Sequence, residues 1–433
     1  MNKRLEKLIF HIDVNSAFLS WEAVYRIKIL GEKVDLRDIP SAVGGDESKR
    51  RGIILAKSIP AKKYNIQTAE SVREALAKCP DLVIAAPNYA LYSQCSHAFM
   101  DILKEFAPIV EQYSVDEAYC DMTGTQGLYG SPVITANLIK DKIYHELGFT
   151  VNVGISNNKL LAKMGGNIKK PNLVHTLFPN EIQRKMWPLP VEDLFYVGRA
   201  SKKNLNKLGI QTIGELAKTD VVILKRHMKS HGELIWNFAN GRDVAIVDNT
   251  AVANKGYGNS TTVSFDVEDA STAKLILLSL CETVCTRLRA DSVKSGVVAV
   301  SFCDFEFHYF SHQMTLFTAT NITNEIHQAA CKLFDEGWNG MPIRKLGIHT
   351  SRIMQEDNIR QLDIFTLDKY EKYQKIDSAV DIIRNRFGEE KIMRASYLVK
   401  ENKDKHITHM AGGIKNAREM VKSEGVGGRA AFH

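Results

Sequence analysis

A chain of 433 residues, 44% of them hydrophobic, has material for several cores, so three or four domains are expected. Its 57 Lys and Arg outnumber 50 Asp and Glu, a net charge of +7 that suits a polyanionic partner. Seven scattered cysteines without a CxxC pair exclude a disulfide framework, no apolar run reaches membrane-spanning length, and the charged N-terminus is no signal peptide. A soluble, cytoplasmic protein is expected.

The first element is the apolar run Leu8 to Ile12, of strand length, ending at Asp13 and continuing through Val14-Asn15-Ser16-Ala17-Phe18 into a helix to about Arg26. An acid where a buried strand runs out is well placed to hold a metal, because the pleat aims its side chain outward from the sheet rim. From Gly31 to about Pro87 the texture changes. A charged turn, Asp46 to Arg51, leads into a short strand, Gly52 to Ala56, and Lys57, Lys62 and Lys63 follow. Ser71 to Ala77 reads as a helix and Asp81 to Ala85 as a strand. These lysines could be ordinary surface charge or could face a phosphate chain.

Val110 to Met122 reads V-E-Q-Y-S-V-D-E-A-Y-C-D-M, two strand segments with Ser114, Asp116 and Glu117 at their junction. Adjacent carboxylates flanked by apolar strand are costly to bury without a partner. Alone they could be a solvated hairpin turn, but Asp13 supplies a third carboxylate. Asp13, Asp116 and Glu117 together make a hard oxygen set that suits Mg²⁺ or Mn²⁺ rather than zinc. Two such ions, about 3.5–4 Å apart, serve in-line phosphoryl transfer.

Next, Val151 to Ile155 reads as a strand turning through Ser156-Asn157-Asn158 into a helix, with Ser156 or Asn157 as N-cap and Lys159 in the first turn. A helix start carrying Lys159 and then Lys163 is an anion-binding end, so a compensating anion is expected there. Pro188-Leu189-Pro190 marks a linker. Short glycine-punctuated helices follow from Leu194 to Leu216, and Arg199 to Lys207 carries four basic residues and no acid. Backbone N–H groups at Gly198, with Lys202 and Lys203, could grip a phosphodiester, or the segment could be a plain helical bundle. After a polar tether, Asp248 to Tyr257, strands at Thr261–Val267, Val297–Phe302, Phe305–Phe310 and near Leu346–Thr350 alternate with helices at Ala273–Arg289 and Asn324–Glu336, an α+β pattern. Ile376, Ala379, Val380, Ile383 and Phe387 mark an amphipathic helix face ended by Gly388, and the glycine-bearing basic tail beyond Lys400 is expected to be partly unstructured.

Over roughly its first 365 residues the chain resembles the Y-family, or translesion, DNA polymerases. The segments carrying the resemblance stand in the family's order: His11-Ile12-Asp13-Val14-Asn15-Ser16-Ala17-Phe18, Arg51-Gly52-Ile53-Ile54-Leu55-Ala56, Ser114-Val115-Asp116-Glu117, and Val153 to Lys163 with Lys170-Pro171-Asn172. A helix-hairpin-helix-like segment follows them. The Asp-Val-Asn form and the residues after Phe365 look closer to the UmuC/ImpB-like branch than to the polymerase IV branch.

The resemblance implies a multidomain α+β right hand: palm (1–30 and 87–178), fingers (31–86), helical thumb (187–247), α+β little finger (252–355) and a C-terminal extension (366–433). It implies that Asp13 and Asp116 bridge two Mg²⁺ ions, for which Mn²⁺ can substitute. The Val14 carbonyl would hold the nucleotide-side ion and Glu117 the ion that activates the primer hydroxyl. Lys62 and Lys159 would bind the triphosphate, Phe18 would be the steric gate under the sugar, and Ile53 and Leu55 would roof the nascent pair. Gln361-Leu362-Asp363-Ile364-Phe365 looks like the bacterial sliding-clamp peptide, with Leu362, Ile364 and Phe365 as anchors and Gln361 as polar register. The implied partners are primer-template DNA, deoxynucleoside triphosphates and the clamp.

The chain departs from the family twice. The fingers have Ile59 and Lys62 where the family often has Tyr and Arg, so a hydroxyl is missing and a bidentate guanidinium becomes a point charge. Phe305 to His312 has no Lys or Arg, which implies a weaker hold on DNA or one resting on backbone groups. The expected activity is template-directed DNA synthesis past damaged bases. The alternative is a non-catalytic DNA- and clamp-binding factor with the same fold; a two-metal nuclease fits the lysines poorly.

Overall fold

In this computed structural model residues 6–45, 52–250, 253–355, 367–388 and 391–398 are described. They divide into two compact units, one up to residue 250 and one from residue 253. In the first unit the chain runs through β1 (Ile9–Val14), α1 (Ala17–Lys28), β2 (Ser41–Gly44), β3 (Ile54–Lys57), α2 (Ile59–Lys62), α3 (Val72–Lys78) and β4 (Val83–Ala85). It continues through α4 (Tyr89–Phe106), β5 (Ile109–Gln112), β6 (Glu117–Asp121), α5 (Gln126–Tyr129), α6 (Pro132–Leu147), β7 (Val151–Ser156), α7 (Lys159–Asn167) and β8 (Val174–Thr176). Four helices complete it: α8 (Ile182–Lys185), α9 (Arg199–Lys207), α10 (Ile213–Lys218) and α11 (Val221–Ala239), the last interrupted at Lys229.

A five-stranded sheet, ordered β5-β6-β1-β7-β8, is the base of the site. β1 is central and antiparallel to both neighbours. Its residues alternate. Phe10, Ile12 and Val14 join Trp21, Phe99 and Phe149 in the main core beneath α1, α4 and α6. Ile9, His11 and Asp13 face the other way, toward α7. A separate three-stranded sheet, β3-β2-β4, forms around Ala42, Ile54, Ile66 and Val72, and a capping box between Ser71 and Glu74 starts α3. The strand β2 and the helices α4 and α6 have no counterpart in the sequence reading.

The second unit holds β9 (Gly256–Val267), α12 (Ala270–Ala290), β10 (Val293–Asp304), β11 (Tyr309–Thr320), α13 (Thr323–Gly337), β12 (Ile343–Gln355) and α14 (Leu367–Phe387). Its sheet is antiparallel, ordered β11-β10-β12-β9, with α12 and α13 packed on one face around Phe302, Leu280 and Phe334. The strand expected at Phe305–Phe310 is displaced. Phe305 to His308 form a turn, because the Asp304 carboxylate accepts the N–H groups of Glu306 and His308, each at 2.9 Å. The strand that follows, β11, also lacks Lys and Arg.

The face expected to dock α14 is not the one used: Ile376 and Phe387 are 45% and 57% exposed. The helix is held instead by charge. Arg289 of α12 binds Asp381 at 2.6 Å and Asp377 at 3.2 Å, and Glu282 binds Arg384 at 3.3 Å and Arg394 at 2.6 Å. Asp377 also accepts the Thr323 N–H at 2.9 Å, capping α13. A buried carboxylate with these partners is satisfied in a way a hydrophobic pattern does not report.

Helix α7 lies unusually close to the sheet. A Cβ placed on Gly154 of β7 would come within 1.9 Å of the Ala162 carbonyl and 2.3 Å of the Gly166 nitrogen. Backbone blocks backbone, so no side-chain rotation relieves it. Gly154→Ala should therefore destabilise the first unit by about 3 kcal/mol or more, at or beyond the upper end of overpacking costs. Gly127→Ala on α5, whose Cβ would meet nothing within 4 Å, should leave stability unchanged or slightly raised. Equal midpoints for the two variants in chemical denaturation would contradict the close packing.

Candidate active site

The end of the central strand brings the three acids together in space. Asp13 on β1 is the register partner of Glu117 on β6, and the Val14 N–H donates to the Asp116 carbonyl at 2.9 Å. Asp13 and Glu117 share the sheet face with His11 and Tyr119, which are themselves partners. Among the described residues, no three such groups are drawn together closely enough to hold an ion at once. Each carboxylate is instead turned to its own partner.

Asp13 is paired with the Lys170 ammonium, and Glu117 with Lys163. Glu117 also takes a hydrogen bond from buried His11 Nε2 at 2.8 Å, while Asp116 accepts from the Ser114 hydroxyl at 2.5 Å. Burial favours the neutral form of Glu117, but the hydrogen bonds from His11 and Lys163 outweigh it and hold the carboxyl at about 2. Burial pushes Asp116 up; Ser114 opposes this, and the charges of Asp13 and Glu117 add to it. Burial lowers His11 against the pull of Glu117, so the imidazole donates from Nε2 as the neutral ring, and its buried Nδ1 has no partner.

This donor set fits a divalent cation. Its oxygens are hard donors, and its three carboxylates are set against two ammonium groups, Lys163 and Lys170. Asp13, Asp116 and Glu117 would hold it, with the Val14 carbonyl at the same strand end. The two ammonium groups now against Asp13 and Glu117 would have to give way.

The lysines arrive on α7. Its N-cap is Asn158, not Ser156 or Asn157, and the Asn158 side chain accepts the Leu161 N–H at 2.8 Å. The Asn158 amide oxygen reaches forward over the first turn, while the Ser156 hydroxyl is drawn off to the Leu177 carbonyl at 2.6 Å. Lys159 is the first residue of the helix, as expected, and stands 4.7 Å over the Tyr119 ring. The anion compensating it is the protein's own Glu111, at 2.6 and 2.7 Å.

Ile53, just before β3, is 43% exposed, and Leu55 on β3 is half-buried against the main core, while Ile54 and Ala56 are buried. Lys62, at the end of α2, is exposed, and Ile59 is 50% exposed. Phe18 on α1 is half-buried and stacks on Tyr92, centroids 4.7 Å apart. Gly198 opens α9; Lys203 is exposed, whereas Lys202 is paired with Glu192 at 2.6 Å. The peptide Gln361, Leu362, Ile364 and Phe365 lies outside the described residues.

Sequence reasoning missed four contributors: His11, Lys170, Glu111 and Asp243, whose carboxylate accepts the Leu160 N–H at 3.1 Å. His11 had a local signal, since strand alternation places it on the face of Asp13, and Lys170 stands in a segment that carries the family resemblance. Glu111 and Asp243 are 48 and 83 residues from their partners, beyond any local pattern.

Three family models match the chain in order. The impB/mucB/samB family covers residues 12–167, the IMS family HHH motif 179–210, and the impB/mucB/samB family C-terminal domain 254–364. A protein named DNA polymerase IV from Clostridium acetobutylicum is 44% identical over 92% of this chain and 100% of its own length. DNA polymerase IV from Acetivibrio thermocellus is 36% identical over 91% and 98%, and DNA polymerase IV 2 from Bacillus subtilis 36% identical over 91% and 95%. A solved Y-family DNA polymerase chimera of Dbh and Dpo4 superposes with a TM-score of 0.68 at 20% identity, covering 80% of this chain and 99% of its own. The fold is therefore that of a Y-family DNA polymerase. The chain belongs to the impB/mucB/samB family.

The ionisation of Glu117 predicts an acid signature. A carboxyl held at about 2 instead of its ordinary 4.5 contributes stability that is complete above pH 4.5 and lost as pH falls toward 2. The parent should be more stable than Glu117→Gln at pH 7, and the gap should roughly halve by pH 3. Urea denaturation of both proteins at pH 7, 5 and 3 measures it. A gap independent of pH would contradict the pairing with His11 and Lys163.

Proposed function

We infer that this protein is a translesion DNA polymerase, adding deoxynucleotides to a primer under the direction of a template. The observation that carries the reading is the placement of Asp13, Asp116 and Glu117 at the adjoining ends of β1 and β6, with Lys163 of α7 on Glu117. The family membership and the relatives named DNA polymerase IV agree with it. Such an enzyme depends on divalent metal, and its substrates are DNA and deoxynucleoside triphosphates.

In this reading the five-stranded sheet is the palm, the three-stranded sheet the fingers, the bundle from α8 to α11 the thumb and the second unit the little finger. Asp13, Asp116, the Val14 carbonyl and Glu117 would hold two Mg²⁺ ions, Val14 toward the nucleotide and Glu117 toward the primer. Bound there, the ions supply positive charge that eases loss of the primer hydroxyl proton and offsets charge on the transferred phosphoryl group. The protein's own part is placement. Glu117, held ionised by His11 and Lys163, is a ready ligand at neutral pH. Lys159 and Lys62 hold the triphosphate so that the primer oxygen attacks the α-phosphorus as pyrophosphate departs. Ile53 and Leu55 roof the new pair with a surface that tolerates altered bases. Gly198, Lys202 and Lys203 hold the DNA backbone without reading sequence.

Asp116→Ala should lower single-nucleotide addition by about 1,000-fold or more while the protein stays folded and binds DNA. The decisive substrate is a primed template with one abasic site and Mg²⁺. The parent should extend across it and the variant should not; extension by the variant would refute the assignment.

Phe18, half-buried and stacked on Tyr92, is proposed as the steric gate. Phe18→Ala should admit ribonucleotides in a folded, active enzyme, because a flat ring beneath the sugar collides with a 2′-hydroxyl. Unchanged selection between dATP and ATP would make Phe18 a packing residue only.

Leu362, Ile364, Phe365 and Gln361 are proposed to dock on the bacterial sliding clamp, raising the local concentration of enzyme at the primer end. Replacing Leu362 and Phe365 together by alanine should abolish clamp-stimulated synthesis on a primed circle and leave unstimulated addition intact. Equal stimulation of variant and parent would contradict the docking.

A further inference from the structure

The segment leaving the helical bundle crosses the start of α7 and is pinned there at several points. Asn158 Nδ2 donates to the Gly241 carbonyl at 3.0 Å, and the Leu160 N–H donates to the Asp243 carboxylate at 3.1 Å. Val247 is buried among Ile9, Tyr119 and Ala162. Glu111 on β5 accepts the Asp248 N–H at 3.0 Å and grips Lys159 with both oxygens. The Lys159 ammonium reaches the Ile246 carbonyl at 3.4 Å.

An ammonium has three donors and no acceptor. All three of those on Lys159 are spent, two on Glu111 and one on Ile246. A phosphate oxygen therefore gains this lysine only by displacing Glu111 or the Ile246 carbonyl, and of the two only Glu111 opposes it with a charge. Neither side chain is free to swing into water unopposed, for Lys159 is 13% exposed and Glu111 20%.

We propose that Glu111 is a specificity-determining residue for the nucleotide: it competes with the incoming triphosphate for Lys159 and so sets how tightly nucleotides are taken up. The proposal rests on the reading of Lys159 as a triphosphate ligand. The chemistry is an exchange of one carboxylate for one phosphate on the same ammonium, with no covalent step. Because Asp248 and Ile246 share in the same cluster, the exchange also loosens the strap, formed by residues 241–248, from β5 and α7.

Glu111→Gln keeps an oxygen for the Asp248 N–H and removes the competing charge. It should lower KM for deoxynucleotides about two- to fivefold, with the change in KM rather than kcat, and lower the inhibition constant of inorganic tripolyphosphate by a similar factor. Both effects should shrink at high salt, as ion-pair competition does. In a Lys159→Met background, Glu111→Gln should change nothing. If Lys159→Met raises KM but Glu111→Gln leaves it unchanged or raises it, the competition is refuted and the role of Lys159 stands. If Lys159→Met leaves KM and tripolyphosphate inhibition unaltered, the reading beneath the proposal fails with it.

Discussion

The site depends on how closely α7 can lie on the sheet, and that distance is set by glycine. With Gly154 on the strand, the two backbones approach to where a strand Cβ would run into the Ala162 carbonyl and the Gly166 nitrogen of the helix. The helix positions that face the sheet then become short tethers for charge: Lys159 and Lys163, one turn apart, reach Tyr119 and Glu117 without extending into solvent. Were α7 held off by even one methyl layer, the ammonium of Lys163 would no longer touch Glu117, and His11 alone would oppose the effect of burial on that carboxyl.

From that geometry follows a site with its charge balanced from within. Three carboxylates close together would repel one another and, buried, would resist ionisation. The chain places Lys170 on Asp13, Lys163 and His11 on Glu117, and a hydroxyl on Asp116. Glu117 is thereby held low by His11 and Lys163, while burial pushes Asp116 up against its hydrogen bond from Ser114. The same cations are what a divalent ion would exchange with. Folding and metal uptake then draw on one set of charges.

Much of this was legible because it is local. The run ending at Asp13, the Asp116–Glu117 junction, the strand turning into the helix of Lys159, and the alternation of Ile53 and Leu55 each lie within one or two elements, and periodicity or an acid at a strand end reveals them. What was not legible is of two kinds. Pairings such as Lys170 with Asp13, or Glu111 with Lys159, join residues 157 and 48 apart, and the sequence carries no sign of them. The docking of α14 misled for a different reason: an apolar spacing at Ile376 and Phe387 suggested a buried face, whereas Arg289 and Glu282 offered stronger partners to the charged one. The turn at Phe305 was lost to a similar cause, since an aromatic run reads as strand until Asp304 is seen to cap it.

The most direct test of this account is a crystal structure of the protein with primer-template DNA, an incoming nucleotide and Mn²⁺, whose anomalous scattering locates the ions without reference to the protein atoms. The account predicts anomalous peaks bound by Asp13 and Asp116, with the ammonium groups of Lys163 and Lys170 displaced from Glu117 and Asp13. Peaks elsewhere, with both lysines still seated on their carboxylates, would contradict it.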